Sequence, residues 1–343
     1  MNNEQEFNSQ ALELYKLHIE KNPVYKEYVS LVDESGVFPR EPQHYSQIPC
    51  LPIEFFKTKK VFLDGFVDVD FFESSGTTAM NRKSGADGDE DENGSSPSET
   101  SRHYIADFSI YRESLLKTFT CFLGSPKSFA IVALLPHYLE REHSSLVYMV
   151  KTLIEESGHP ANGFFLYNHQ ELYDTLVRLE SEGQKTLLIG VSFALLDFAD
   201  FLQNRKLQHT LIMETGGMKG RKKEITRSQL HTLLRTAFGV KHIYSEYGMA
   251  ELFSQAYLLE DGKFHCPPQM KVMLRSPYDP FENITEFGKT GGINVIDLAN
   301  IHSCPFIQTQ DLGRLYSDGS FDVIGRFDNS QIRGCNLLYL PNE

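Results

Sequence analysis

Ser128-Phe129-Ala130-Ile131-Val132-Ala133-Leu134-Leu135 carries no charge and stops at Pro136. A strand with one wet face would alternate apolar and polar residues. An unbroken apolar run that ends at proline is the pattern of a strand covered on both faces. Working outward, the pattern recurs with helical segments between. The periodicity predicts a helix at about 144–157, a strand at Phe164–Tyr167 and a helix at 170–182. A strand at Thr186–Val191, a helix at 193–203 and a strand at His209–Met213 follow. A helix at 226–237 and a strand at His242–Ser245 complete the series. Upstream, Phe108, Tyr111, Leu115 and Phe122 mark one more helix. Strand–helix alternation of this kind predicts an α/β fold with a mostly parallel sheet flanked by helices.

The pattern changes at both ends. Residues 8–30 are helical by spacing, with Leu12, Tyr15 and Ile19 on one face and Asn22-Pro23 breaking the run. A proline-rich loop, Ile48-Pro49-Cys50-Leu51-Pro52, follows. Beyond about 268, short strands at Lys271–Leu274, Gly292–Asp297, Phe306–Thr309 and Gly319–Ile324 are separated by Gly, Asp and Pro turns. The expected division is an α/β core over 1–267, a smaller β-rich part over 268–324, and a hinge with a short tail over 325–343. No internal repeat recurs at a fixed period.

At about 150 residues per domain, 343 residues make roughly two domains or one large one. With 25 Phe and 16 Tyr the chain can bury a sizeable core. Its 46 acidic residues outnumber 33 basic ones, for a net charge of −13. Binding a phosphate backbone needs a basic face, so a nucleic-acid function is disfavoured. An acidic protein handles an anion locally, with backbone N–H groups, a few cations and a metal ion. No window of about 18 apolar residues exists to span a membrane. The first residues, Met1-Asn2-Asn3-Glu4-Gln5-Glu6, are polar and acidic and lack the basic and apolar regions expected of a signal peptide. Five scattered cysteines read as reduced thiols, and the expected location is the cytoplasm.

Residues 79–100 stand apart, rich in Asp, Glu, Gly and Ser. They cannot bury enough surface to offset ordering entropy, which predicts a disordered acidic insertion. Asp89-x-Asp91-x-Asn93-Gly94 matches half of a calcium loop, but the twelfth position is Thr100 where Glu is needed. His265-Cys266 and His302-x-Cys304 lack the spacing of a zinc knuckle.

Four segments carry candidate chemistry. Glu73-Ser74-Ser75-Gly76-Thr77-Thr78 is a run of small donors that can wrap phosphate oxygens, although as a lone feature it is also an ordinary loop. It is not a Walker A loop, and Gly288-Lys289-Thr290 lacks the glycine that one requires. Tyr244-Ser245-Glu246-Tyr247-Gly248-Met249-Ala250-Glu251 follows a strand and offers an aromatic face and, four residues on, a carboxylate for magnesium. In Gln308-Thr309-Gln310-Asp311-Leu312-Gly313-Arg314 a strand-end Asp can accept two hydroxyl protons of a ribose. Gly325-Arg326-Phe327-Asp328-Asn329-Ser330-Gln331-Ile332-Arg333-Gly334 lies near the end of the chain.

The order of the four is specific where each alone is not. The sequence resembles the adenylate-forming enzymes: acyl-CoA synthetases, luciferase and peptide-synthetase adenylation domains. That superfamily carries a Ser-Ser-Gly-Thr-Thr loop, Tyr-Gly-x-x-Glu, Thr-Gly-Asp and a Gly-Arg-x-Asp…Ile-Arg-Gly hinge, here at 74–78, 247–251, 309–311 and 325–334. Gln310 stands where the superfamily has Gly. Within it the chain is most similar to the LuxE-type acyl-protein synthetases, on Ile48 to Lys57, Ser101-Arg102-His103-Tyr104, Ser144 to Met149 and Arg333-Gly334-Cys335. The resemblance runs over about 10–340. It departs where the chain stops just past the hinge, without the small C-terminal domain of typical members. A second departure is the acidic segment inside the phosphate loop.

The resemblance implies an adenylation-domain fold and roles residue by residue. Ser74, Ser75, Gly76, Thr77 and Thr78 would hold ATP phosphates, with Arg102 as the basic residue closing the loop. Tyr247 would stack on adenine, with Glu214, Gly216 and Gly217 near it. Glu251 would hold magnesium, and Asp311 would take the ribose, with Arg326 beside it at the hinge. ATP and Mg²⁺ are the implied cofactors and a fatty acid the implied substrate. Cys335 is the candidate acyl acceptor, although it also suits a plain packed strand. An acyl reductase or carrier protein is the implied partner. Gly190 to Phe198 would line the acid tunnel, a pattern that a core helix explains equally well. Two other readings stay open: an aryl- or short-acid-CoA ligase of the phenylacetate type, and a non-catalytic nucleotide-binding relative.

Overall fold

A computed structural model describes residues 3–33, 36, 38–74, 100–136, 142–202, 206–216 and 225–327. The hinge beyond Phe327, Cys335 and positions 79–99 of the acidic insertion lie outside the described residues.

The chain opens with α1 (Asn3–Lys21) and α2 (Pro23–Asp33). Pro23 is tolerated as the first residue of α2 because its missing N–H has no intrahelical partner there. The Asn22 side chain accepts the Tyr25 N–H at 3.1 Å. Next come β1 (Leu51–Pro52), α3 (Phe55–Thr58), β2 (Asp70–Glu73) and β3 (Arg102–Ile105). The alternating region contains α4 (Phe108–Leu123), β4 (Ala130–Leu134), α5 (Ser145–Ser157), β5 (Gly163–Phe165) and α6 (His169–Ser181). It continues through β6 (Thr186–Val191), α7 (Ser192–Leu202), β7 (Thr210–Thr215), α8 (Arg227–Phe238) and β8 (Tyr244–Tyr247). Short strands then follow: β9 (Ala256–Leu258), β10 (Phe264–His265), β11 (Met270–Arg275) and β12 (Asn283–Ile284). The last are β13 (Thr290–Asp297), β14 (Phe306–Leu315) and β15 (Phe321–Arg326).

The helix ends follow local rules. Ser144 caps α5 by accepting the Val147 N–H, and Gly158 ends that helix with φ of 64°. Thr226 and Gln229 form a capping box on α8. Strands β4 and β6 are buried at every position, as their unbroken apolar runs require.

One sheet threads the described chain in the order β12-β11-β13-β14-β15-β10-β9-β8-β7-β6-β4-β5. Strands β5, β4, β6, β7 and β8 pair in parallel, and from β8 onward the pairs are antiparallel. The antiparallel part thus begins at β9, ahead of residue 268. Strand β1 pairs in parallel with the first half of β14, and β15 takes the second half. A separate two-stranded sheet joins β2 to β3.

Two large cores cover this sheet. One packs α4, α5, α7 and α8 on β4, β6 and β7 through residues such as Phe119, Ile131, Leu188 and Phe198. The other packs Phe7, Ala11, Tyr25 and Val29 of the N-terminal helices on Val272, Val295, Phe306 and Phe321. The N-terminal helices therefore share a core with the β-rich part. A small third cluster, Phe72, Ile105, Tyr111, Ala250 and Phe253, ties the β2–β3 ribbon to the segment after β8.

Candidate active site

The site is built where the β2–β3 ribbon meets the C-terminal end of β8. In the ribbon, Phe72 faces His103 and Glu73 faces Arg102. Phe72 is buried against Phe108, Tyr111 and Tyr148, which anchors the outgoing leg. The pairing extends one step further: the Ser74 N–H donates to the Ser101 carbonyl at 3.0 Å, and the Ser101 N–H donates to Ser74 Oγ at 2.9 Å. The Thr100 hydroxyl also reaches Glu73 Oε1 at 3.0 Å. The Ser-Thr-Gly run thus starts from a closed pair of legs. Ser75, Gly76, Thr77 and Thr78 lie outside the described residues.

Glu251 sits directly behind this closure. It is buried, and its Oε1 accepts the hydroxyl of Ser101 on the returning leg. Burial pushes the Glu251 carboxyl above the usual carboxylate range, while the Ser101 hydrogen bond and the fields of Arg326 and Lys57 pull it back. One side chain thereby connects Tyr-Gly-x-x-Glu to the leg that returns from the Ser-Thr-Gly run, 150 residues apart.

The second half of the site hangs on Asp311 of β14. Its Oδ2 accepts the Tyr247 hydroxyl at 2.8 Å, and its Oδ1 lies 3.1 Å from Arg326 Nε on β15. Register explains this, since Asp311 and Arg326 are directly opposed across β14 and β15. The Tyr247 ring is held edge-on by Phe264 and Phe321, at 5.8 and 5.6 Å. Burial and the Asp311 carboxylate push the Tyr247 phenol far above its ordinary range, so it remains a donor. Gln310 donates through Nε2 to Glu54 Oε1, tying β14 to the segment after β1.

The other expected site residues have partners of their own. Arg102 is half-exposed, pairs with Glu73 at 3.3 Å and lies over the Phe71 ring. Glu214 is buried in a network of its own. Ser192 and Ser245 donate to it at 3.0 and 2.5 Å, and His231 Nε2 lies 3.5 Å away. The Gly216 carbonyl accepts the Ser192 hydroxyl at 2.6 Å. Gly217 is outside the described residues.

The fold brings in groups that spacing did not mark. The Glu246 carboxyl is pushed up to about 7 by burial, with the Glu214 charge adding and the Thr215 hydroxyl, at 2.5 Å, opposing. Asp297, at the end of β13, accepts the N–H groups of Phe253 and Ser254 at 2.7 and 2.8 Å. His103 and Asn300 hold the Ala250 and Glu251 carbonyls at 2.7 and 2.9 Å. His103 was visible only as part of the family resemblance, and no sequence spacing signals the others.

Magnesium is usually held by one or two carboxylates together with substrate phosphates. Glu251 offers one buried carboxylate behind the closed legs of the β2–β3 ribbon, and that donor set fits. Among the described residues no cluster of three or more His, Cys, Asp or Glu side chains forms a self-contained metal site. None of the described helices is long and apolar enough to cross a membrane.

No protein-family model matches the sequence, and neither does any curated protein. Solved structures do match by fold. A 2-hydroxyisobutyryl-CoA ligase, in an open conformation with 2-HIB-AMP and CoA, superposes with a TM-score of 0.66 at 12% identity, covering 95% of this chain and 70% of that one. ATP-bound MatB from Rhodopseudomonas palustris gives 0.53 at 16% identity, covering 75% of this chain and 47% of its own. A luciferase-like enzyme from the Zophobas morio mealworm gives 0.52 at 14%, covering 85% and 66%. The chain spans about half the length of the MatB structures that it matches. At these identities the likeness shows the fold: this chain has the α/β fold of the adenylate-forming enzymes.

Proposed function

We propose that this protein activates a carboxylic acid with ATP. The observation that carries the reading is the convergence of Glu251, Ser101 and Ser74 on one side with Tyr247, Asp311 and Arg326 on the other. The substrate carboxylate oxygen attacks the α-phosphorus. The bond to the bridging oxygen breaks, pyrophosphate leaves, and an acyl-adenylate forms. Charge gathers on phosphoryl oxygens in that step, so preorganised donors and a cation contribute most. Magnesium bound at Glu251 would supply that cation. The Ser-Thr-Gly run with Arg102 would hold the β- and γ-phosphates, and Tyr247 with Glu214, Gly216 and Gly217 would flank adenine. Asp311 would accept the ribose hydroxyls, with Arg326 paired beside it.

The finer reading is that of an acyl-protein synthetase. A fatty acid is the substrate, and a thiol attacks the adenylate carbonyl to release AMP and leave a thioester. Cys335 is the acceptor, or a carrier protein or acyl reductase is. A second reading, a small-acid-CoA ligase, is favoured by the likeness to a hydroxyacid-CoA ligase over nearly the whole chain. The test is incubation with ATP, Mg²⁺ and radiolabelled long- or short-chain acids, with and without CoA, in the natural protein and in Cys335→Ser. Label retained on the protein and lost in Cys335→Ser supports the acyl-protein reading. Label appearing only in acyl-CoA supports the second. ATP binding without any acyl product leaves a nucleotide-binding protein and overturns both.

A further inference from the structure

His103 is fully buried beneath the site and takes no part in the chemistry above. It lies on β3, two residues after Ser101. Its Nδ1 is 2.7 Å from the Ala250 carbonyl, and its Nε2 is 3.0 Å from Asn300 Oδ1. The orientation of Asn300 is set independently, because its amide nitrogen donates to the Glu251 carbonyl at 2.9 Å and the Cys304 carbonyl at 2.8 Å. Both partners of the imidazole are therefore acceptors. A carbonyl can only accept, so the 2.7 Å contact assigns an N–H to Nδ1, donated to Ala250.

The arrangement has a consequence for Glu251. The carbonyls of two successive residues, Ala250 and Glu251, are fixed by two side chains from distant segments. His103 comes from the strand that returns from the phosphate loop, and Asn300 from the turn after β13. Phe56 and Phe253 hold the His103 ring at 6.0 and 4.9 Å. Packing thus sets the ring, the ring sets the backbone at 250, and the backbone aims the Glu251 side chain at Ser101.

We propose that His103 and Asn300 are positioning residues that fix the Glu251 backbone, so that its carboxylate meets a divalent cation without reorganisation. The inference rests on the reading of Glu251 as the magnesium carboxylate. Groups that orient a metal ligand affect cation affinity more than nucleotide affinity. A residue with a purely structural role would lower stability alone.

The probe is manganese(II), its free concentration read by electron paramagnetic resonance, with a non-hydrolysable ATP analogue bound to the full chain. His103→Phe keeps the ring contacts and removes the N–H, and it is expected to weaken manganese binding about tenfold with nucleotide affinity unchanged. His103→Gln can still donate to Ala250 and is expected to stay within about twofold of the natural protein, which keeps the test open if His103→Phe fails to fold. Unchanged affinity in His103→Phe, or equal loss in His103→Gln and His103→Phe, overturns the inference. Glu251→Gln separates the two claims. If it does not weaken manganese binding, the magnesium reading itself fails. If it does and His103→Phe does not, only the positioning role fails.

Discussion

The Tyr247 hydroxyl and the Asp311 carboxylate meet at 2.8 Å across 64 residues of sequence. That contact joins the end of the parallel half of the sheet to β14 in the antiparallel half. It also joins the residue proposed to flank adenine to the one proposed to take the ribose. Tyr247→Phe should keep the ring packed on Phe264 and Phe321. It should cost about 1–2 kcal/mol, because a buried carboxylate loses a donor. ATP affinity should fall as well. Denaturant melts and nucleotide titration check both; an unchanged ATP affinity would separate the hydroxyl from the site.

Gly248 leaves room for its neighbour. A methyl group there would run into Glu246 Oε1. Gly248→Ala should therefore cost roughly 1–3 kcal/mol through displacement of the carboxylate. In the Glu246→Ala background the same change should cost much less. The cycle of four proteins reads the coupling directly.

Glu246 also predicts a pH slope. Its folded pKa, about 7, lies above the ordinary carboxylate value of 4.5, so the native state binds more protons than the unfolded state between those values. Stability contributed by this group is present below about 4.5 and is lost as pH rises toward about 7. Glu246→Gln should flatten that slope and be relatively more stable at pH 8 than the natural protein. Urea melts across pH 5–8 test it, and parallel curves for the two proteins would count against it.

Ser74 and Ser101 are hydrogen-bonded to each other in both directions. The chain between them leaves and returns at one point. Replacing residues 80–98 by a short Gly-Ser turn should therefore leave the melting temperature within a few degrees. A large drop would show that the acidic segment packs against the rest of the protein.

Much of this fold was legible because its strands are buried on both faces. The run at 128–135 became β4, and the strand read at 186–191 is β6 with the same bounds. The helix break at Asn22-Pro23 also appears where proline chemistry puts it. The two-residue strands β1, β10 and β12 were missed, as was the β2–β3 ribbon, because pairs so short leave no periodicity to read. In the site, Tyr247, Glu251, Asp311 and Arg326 were visible through motif order. The contacts that set them are long-range. Ser101 with Glu251, His103 with Ala250 and Asp297 with Ser254 join residues dozens to 150 positions apart, and only the fold creates them.

ATP–pyrophosphate exchange reads acid activation at the Glu251 site without any need to know the acyl acceptor. The natural protein should exchange labelled pyrophosphate into ATP in the presence of one class of acid, from a panel of short, long-chain and aromatic acids. Glu251→Gln should remain folded, still bind ATP weakly and lose the exchange, because the metal's carboxylate is gone while the burial of the side chain is kept. Exchange undiminished in Glu251→Gln, or absent with every acid in a natural protein that binds ATP, would contradict the account.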